Sequence, residues 1–383
     1  MGKLNMHELG MGMLMVSLCL DCIELICHLD TTNNNPEKGT PLNPHNPHYY
    51  TGGSSGGSAY TVAAGLLPVT LGADGGGSIR IPAAYCGIYG LKPSHGRVSG
   101  APASGLASSC GVLGPMASNM ADIEYAYRIM ATPDPYDTTS SMFSFPLPSP
   151  PLDSERKVIG IYKPYFEVAD PAVLDACHAA LRHYESAGYQ VVDITLPYLP
   201  EGQLAHAMTI LGEICSDLPN ISGLASANKI LISIGRITPV RDFFLAQKVR
   251  NVLMQHLACL FQKYPGLLIV TPTTPNAGWH IAGGLADLKN GVSDGNMSIH
   301  TMTYVWMANY LGCPSLSIPV GRVKPKEGEG SVPVGLMAMA EWGEEEQLFT
   351  WGRVGEEWAW QVGEDRMAKP GNWVDVMELA KST

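Results

Sequence analysis

Two glycine-rich runs carry the serines that could do chemistry. One is Thr51 to Tyr60 (TGGSSGGSAY) and the other is Ala73 to Arg80 (ADGGGSIR), with Ser54 and Ser78 standing 24 positions apart. Ordered glycines cost backbone entropy, so three in a row ahead of a serine suggest that something must approach the main chain closely. A serine hydroxyl is a weak nucleophile and needs a base within hydrogen-bond reach. Backbone N–H groups beside it can stabilise an oxyanion as it forms. Together these parts would perform acyl transfer. The plainer alternatives are a flexible turn and a Gly/Ser linker. Against a linker, the first run leads straight into an Ala-rich helix and a strand.

Other chemistries fit less well. No Gly-Lys-Ser/Thr follows either run, so a P-loop is disfavoured. Gly53-Ser54-Ser55-Gly56-Gly57 matches G-x-S-x-G, but that elbow needs a strand directly before it. Here the preceding residues are NPHNPHYYT, with two prolines and no apolar run. His95 could join Ser78 and Asp74 in a Ser-His-Asp triad, although a histidine within KPSHG reads as a turn residue. Cys19-x-x-Cys22, with Cys27 and His28 after it, could be drawn as a zinc site. A lone CxxC in a Leu/Met-rich run is weak evidence, and neither metal nor cofactor is expected.

Composition narrows the class. The 383 residues are 45% hydrophobic and only 15% charged, with a formal charge of −11. Phosphate binding needs a basic footprint, so nucleic acid is not an expected partner. Nine scattered cysteines do not form a secreted disulfide framework, which points to a reducing, cytoplasmic setting. Gly10 to Leu29 is apolar and near the length of a membrane span. Asp21 and Glu24 are expensive in hydrocarbon. His7 and Glu8 stand where a signal peptide would be basic. No membrane association is expected.

The elements that must position the serines follow from periodicity. Tyr60 to Leu67 reads as a helix, Val69 to Leu71 as a buried strand, and Ala121 to Ala131 as a helix with Ser118 or Asn119 as cap. Phe143 to Leu152 is a proline-rich linker. A β-α-β unit comes next. Its strand is Val158 to Tyr162, and its helix opens at Asp170 and Pro171, buries Val173, Cys177, Leu181 and Tyr184, and ends at Gly188. Its return strand is Val191 to Ile194. Parallel strands joined by a helix imply a sheet covered on both faces. A long helix capped by Thr238 runs towards Tyr264, and strands are expected at Leu267 to Val270, Ser315 to Ile318 and Val334 to Met339. Glu201 to Arg236 and Gly278 to Met302 carry no readable pattern.

Taken together, the two serine runs and CGIYGLKP (Cys86 to Pro93) resemble the amidase signature family. Landmarks at GPMASNMAD (Gly114 to Asp122), IVTPTTP (Ile269 to Pro275), ANYLGCPSLSIPVG (Ala308 to Gly321) and PVGLMAMA (Pro333 to Ala340) extend the likeness along the chain. The resemblance implies one α/β domain over 1–383, with a central mixed sheet between layers of helices. It also implies an amidase in which Ser78 becomes the acyl-enzyme. Ser54, after a cis Gly53–Ser54 bond, would relay the proton to a buried lysine. The N–H groups of Gly75, Gly76, Gly77 and Ser78 would form the oxyanion hole. Asp74 and Arg80 are expected to brace the loop as an internal charge pair, with Ser55 and Ser58 in support. The expected partner is a small-molecule amide, and a homo-oligomer is compatible with the sequence. The alternative is a non-catalytic relative that binds without turnover.

Two departures from the family pattern stand out. NMHELGM (Asn5 to Met11) and DTTNNNP (Asp30 to Pro36) both resemble the family, whose members usually run from one to the other without a long interruption, so residues 12–29 look like a foreign insertion. A retained intron would account for them. Gly12-Met13 can be encoded with the donor GTATG and Leu29-Asp30 with the acceptor TTAG, and excision restores HELGMDTTNNNP in frame. The alternative is a genuine surface insertion. The family's base lysine lies well upstream of the segment that GKLNMHELGM resembles, and Lys3, Lys38 and Lys92 do not match it. The N-terminal part of the fold is therefore expected to be missing, leaving catalysis crippled and apolar surface exposed.

Overall fold

The computed structural model describes residues 33, 40–101, 106–146, 157–218, 220–222, 224, 226–283, 294–361, 369–371, 373–375, 379 and 381. Residues 12–29, the Cys19/Cys22/Cys27/His28 set, Lys3, Lys38 and the linker beyond residue 146 lie outside them. Phe143, at the start of that linker, is packed against Trp342 with ring centroids 4.9 Å apart.

The first half of the chain forms α1 (Gly56–Ala63), β1 (Val69–Asp74), α2 (Arg80–Cys86), β2 (Tyr89–Lys92), β3 (Val112–Ala117) and α3 (Met120–Met130). Helix α1 begins inside the glycine run, four residues before the expected start, and stops short of Leu67. Helix propensity argues against Gly56 and Gly57, but tertiary contacts override it. Ser58 Oγ donates to Leu71 O at 2.9 Å, tying the first turn to β1. A Cβ on Gly56 would lie 2.4 Å from Thr51 Oγ1, so only glycine fits there. Asn119 caps α3, accepting from Asp122 N at 2.8 Å.

The second half supplies β4 (Val158–Ile161), α4 (Lys163–Phe166), α5 (Pro171–Ser186), β5 (Gln190–Asp193), α6 (Leu199–Asp217), α7 (Ser226–Ile237) and α8 (Val240–Lys263). It continues with β6 (Leu267–Pro272), α9 (Gly295–Thr301), α10 (Trp306–Tyr310), β7 (Ser315–Val323), β8 (Val332–Met339) and α11 (Glu345–Gln361). Helix α5 buries Val173, Cys177, Leu181 and Tyr184, the face that its periodicity predicts. The cap of α8 differs from expectation. Pro239 takes the N-cap position, and Thr238 Oγ1 donates backwards to Ile234 O at 2.9 Å, closing the end of α7. No helix among the described residues is long and apolar enough to cross a membrane.

All eight strands form one sheet in the order β1-β3-β2-β7-β8-β6-β4-β5. Pairings from β1 through β6 are antiparallel. Those of β4 with β5 and with β6 are parallel. The sheet is therefore mixed. Successive side chains of a strand point to opposite faces, and the glycines show what each face meets. A Cβ at Gly335 of β8 would lie 2.7 Å from Ala84 Cβ in α2 and 3.1 Å from Ser317 Oγ. On the opposite face, Leu316 and Ile318 of β7 press against Gly352 and Gly355 of α11. Helix α2 thus lies directly on the sheet, and its depth sets the position of the loop that precedes it.

A Gly335→Val substitution would drive α2 off this seat. Overpacking of this kind costs about 1–3 kcal/mol. The expected result is a lower urea midpoint with an unchanged slope, measured by tryptophan fluorescence.

Candidate active site

The segment between β1 and α2 is built around the Asp74 carboxylate. Oδ1 accepts from Gly77 N at 2.7 Å, from Arg80 Nη2 at 3.1 Å and from Asn309 Nδ2 at 2.9 Å. Oδ2 accepts from Ile79 N at 3.1 Å and Arg80 Nε at 3.0 Å. Both side chains of the Asp74–Arg80 pair are fully buried. Burial alone would raise the Asp74 pKa, but the Arg80 charge and its hydrogen bonds hold it well below the usual carboxylate range. Arg80 Nη2 also donates to Asn309 Oδ1 at 2.6 Å, which closes the triangle.

This arrangement turns the loop inside out. Gly77 N–H points inward to Asp74, so it is not free to act as an oxyanion donor, and the expected set of four shrinks by one. Among the described residues, nothing accepts from the N–H groups of Gly75, Gly76 or Ser78. A trans peptide is planar, with the carbonyl of one residue and the N–H of the next pointing in opposite directions. Each free donor is therefore aimed by what holds the carbonyl behind it. Asn309 Nδ2 donates to Asp74 O at 2.8 Å, orienting Gly75 N–H. His206 Nε2 bonds Gly75 O at 2.9 Å, orienting Gly76 N–H. Ile81 N donates to Gly77 O at 2.8 Å, orienting Ser78 N–H. Gly77 adopts φ of +107°, and a Cβ there would lie 2.4 Å from Val305 Cγ2.

Ser78 is half-buried, two residues before the start of α2. Its carbonyl accepts from Ser55 N at 3.1 Å, which brings the two serine runs together. Ser54 is also half-buried, and the Gly53–Ser54 peptide bond is cis. Ser55 is a brace rather than an exposed nucleophile. Its Oγ donates to Ala73 O at 3.3 Å and accepts from Ala73 N at 3.2 Å, joining the start of α1 to β1. The segment before Gly53 makes only isolated bridges, Leu42 with Tyr50 and Tyr49 with His280, so no strand leads into the G-x-S-x-G match.

The other candidates sit elsewhere. His95 Nε2 is bonded to Ser108 O at 2.8 Å while Asp74 is saturated by Arg80, so a Ser-His-Asp triad is not assembled. Lys92 is completely buried, and its Nζ donates to Pro93 O at 2.8 Å. Burial, followed by the like charge of Arg80, brings its pKa down to about 8. No described lysine is hydrogen-bonded to Ser54. No three His, Cys, Asp or Glu side chains gather as a metal-ligand set among the described residues.

Sequence reasoning missed two residues, Asn309 and His206. Asn309 lies within the ANYLGCPS landmark but carries no separate signal. His206 lies on α6, whose buried residues are Gly202, Ala205, His206 and Thr209. Their spacing is helical, but they are small or polar, so no apolar stripe marks the face.

The model of the Amidase family matches residues 1–349. The fatty acid amide hydrolase of Medicago truncatula is 36% identical over 352 residues, covering 88% of this chain and 54% of that protein. One component of the glutamyl-tRNA(Gln) amidotransferase of Thermus thermophilus is 32% identical, covering 91% of this chain and 73% of that protein. A crystal structure of an amidase superposes with a TM-score of 0.70 at 26% identity, covering 86% of this chain and 72% of the other. The chain spans about half the length of the curated plant relatives it matches.

Two outcomes are expected from this geometry. Asp74→Asn leaves the Arg80 charge buried without its partner, and breaking such a pair costs about 3–5 kcal/mol, measurable by urea unfolding. The second concerns pH. Burial lowers the pKa of both His206 and His45 from 6.5 to about 4. Between these values the unfolded chain takes up protons that the folded chain refuses, so stability falls as pH drops through that window. Urea midpoints measured at intervals across it should decline, and the decline should flatten in a His45→Gln/His206→Gln double variant.

Proposed function

This chain belongs to the Amidase family, and from that premise we propose that it is an amide hydrolase acting through an acyl-enzyme on Ser78. The observation that carries the reading is the loop before α2, where three N–H groups find no acceptor among the described residues around a half-buried serine. Ser78 Oγ attacks the amide carbonyl, forming the C–O bond while its proton passes to Ser54 Oγ, which in the same step gives up its own hydroxyl proton to the next base in the relay. The carbonyl oxygen becomes an oxyanion held by the N–H groups of Gly75, Gly76 and Ser78. Collapse of the tetrahedral adduct breaks the C–N bond. The proton is returned to the leaving nitrogen, and water then releases the acyl group. Removing one such donor costs about 10²–10³ in rate.

In the family the proton continues from Ser54 to a buried lysine. No described lysine stands bonded to Ser54, and Lys92 is turned to Pro93 O. Positioned proton transfer contributes about 10²–10⁴-fold, so turnover rests on a base that accepts from Ser54. A relative lacking such a base would bind without turnover. The relatives include proteins named for fatty acid amides and for glutamyl-tRNA(Gln), so the substrate class proposed is a carboxamide with a flexible acyl part. The described cysteines are all free thiols, in keeping with a reducing, cytoplasmic setting.

An alkyl fluorophosphonate tests nucleophile and turnover separately. Peptide mass spectrometry should place the adduct on Ser78, and Ser78→Ala should abolish it. An adduct on Ser55, or one that survives Ser78→Ala, would overturn the assignment. Labelling of Ser78 without steady-state release of amine from a panel of carboxamides would select the reading without turnover.

A further inference from the structure

We infer that His206 is a positioning residue for the oxyanion donor Gly76 N–H, acting through the carbonyl of Gly75 and never touching the substrate. The inference rests on the reading of Ser78 as nucleophile. Two of the three peptide planes that aim the free donors are held by parts of the loop's own framework. Asn309 belongs to the Asp74–Arg80 cluster, and Ile81 N belongs to the first turn of α2. The third plane, between Gly75 and Gly76, is held from outside that framework by a single side chain on α6. Without it, this peptide is free to rotate about the flanking glycine dihedrals, because neither residue has a Cβ to restrict it.

The surroundings of His206 fit this task. Its acceptor is a carbonyl oxygen, so Nε2 must carry the proton. Nδ1 is then the bare nitrogen, and it lies buried with no hydrogen-bond partner among the described residues. The ring is 1% exposed and meets Tyr310 edge-on at 6.0 Å. Charged groups around it are Asp74, Arg80 and Arg250, and their effects are smaller than that of burial, which keeps the ring neutral. A second contact registers the loop against the same helix. A Cβ on Gly76 would lie 3.1 Å from His206 Cε1, and one on Gly75 would lie 3.0 Å from Ile210 Cδ1. The α6 face therefore sits against both residues of the peptide that the imidazole orients. Thr209, the next buried position on that face, accepts from Gln247 Nε2 of α8 at 2.8 Å, which steadies α6 in turn.

The test uses the full chain and saturation kinetics of Ser78 phosphonylation by an alkyl fluorophosphonate, which requires no turnover. Attack of Ser78 Oγ on phosphorus forms the O–P bond, passes the hydroxyl proton to Ser54 and its relay, and expels fluoride; in the pentacoordinate transition state negative charge builds on the phosphoryl oxygen, the charge that Gly76 N–H would meet. His206→Leu should lower the limiting labelling rate by about 10–100-fold, the scale of one misdirected donor. The reversible binding constant and the thermal midpoint should stay near those of the unaltered chain. His206→Gln, whose amide nitrogen reaches a similar position, should recover most of the rate, while the shorter His206→Asn should not. The Gln/Asn pair carries the same comparison if the leucine variant does not fold. A leucine variant that labels at the unaltered rate, or a loss that Gln and Asn suffer equally, would overturn the inference. Failure of the unaltered chain to label at Ser78 would overturn the underlying reading as well, and is distinguishable because no variant is needed to see it.

Discussion

The Asp74 carboxylate is the constraint around which this site is organised. A buried charge must be paired and its lone pairs satisfied, or the penalty runs to several kcal/mol. Asp74 meets that demand by collecting Arg80, Asn309 and backbone N–H groups from its own loop. Gly77 N–H is one of those groups, while the N–H groups of Gly76 and Ser78 on either side of it find no acceptor among the described residues. The free donors beside Ser78 thus belong to a loop shaped by satisfying that charge. The loop cannot relax into an ordinary turn without leaving that carboxylate short of partners.

The same cluster links the loop to the sheet. Arg80 opens α2, and α2 lies against β8 where Gly335 leaves room for Ala84. Loop height above the sheet is therefore set by a backbone-to-helix contact that admits no larger side chain. Ser55, bonded to both the N–H and the carbonyl of Ala73, fixes the second serine run to the same strand. Two runs separated in the sequence are held to β1 by hydrogen bonds on one side and by an ion pair on the other. Rigid support from regular elements is what a site needs to hold donors within a few tenths of an ångström.

Much of this could be read from the sequence, and the failures have physical causes. The strand and helix periodicities of Val158 to Ile194 were legible because both faces of that unit are apolar or clearly polar. The glycine runs were legible because consecutive residues without Cβ are rare and costly. Helix α6 was not, because it buries glycine, alanine, histidine and threonine where a hydrophobic stripe is ordinarily sought. The inward turn of Gly77 N–H was invisible for a different reason. It depends on where Asp74 sits once Arg80 and Asn309 have claimed it, and no local pattern encodes a three-body arrangement. The cap of α8 failed because proline at position 239 takes the N-cap itself and leaves Thr238 to close the preceding helix.

The span of the Asp74–Asn309 contact has a consequence for biosynthesis. The two residues are separated by 235 positions, and β2 likewise pairs with β7 from the far end of the chain. A ribosome adding about 5–20 residues per second delivers Asn309 on the order of tens of seconds after Asp74. During that interval the acid and the guanidinium have each other but lack the amide that closes their cluster, and β2, paired with β3 on one side, has no neighbour on the other. The nascent chain therefore cannot assemble its most polar interior before its last third emerges. Until then the edge of β2 is an unpaired strand, and a chaperone that covers it would act on the step where this architecture is most exposed.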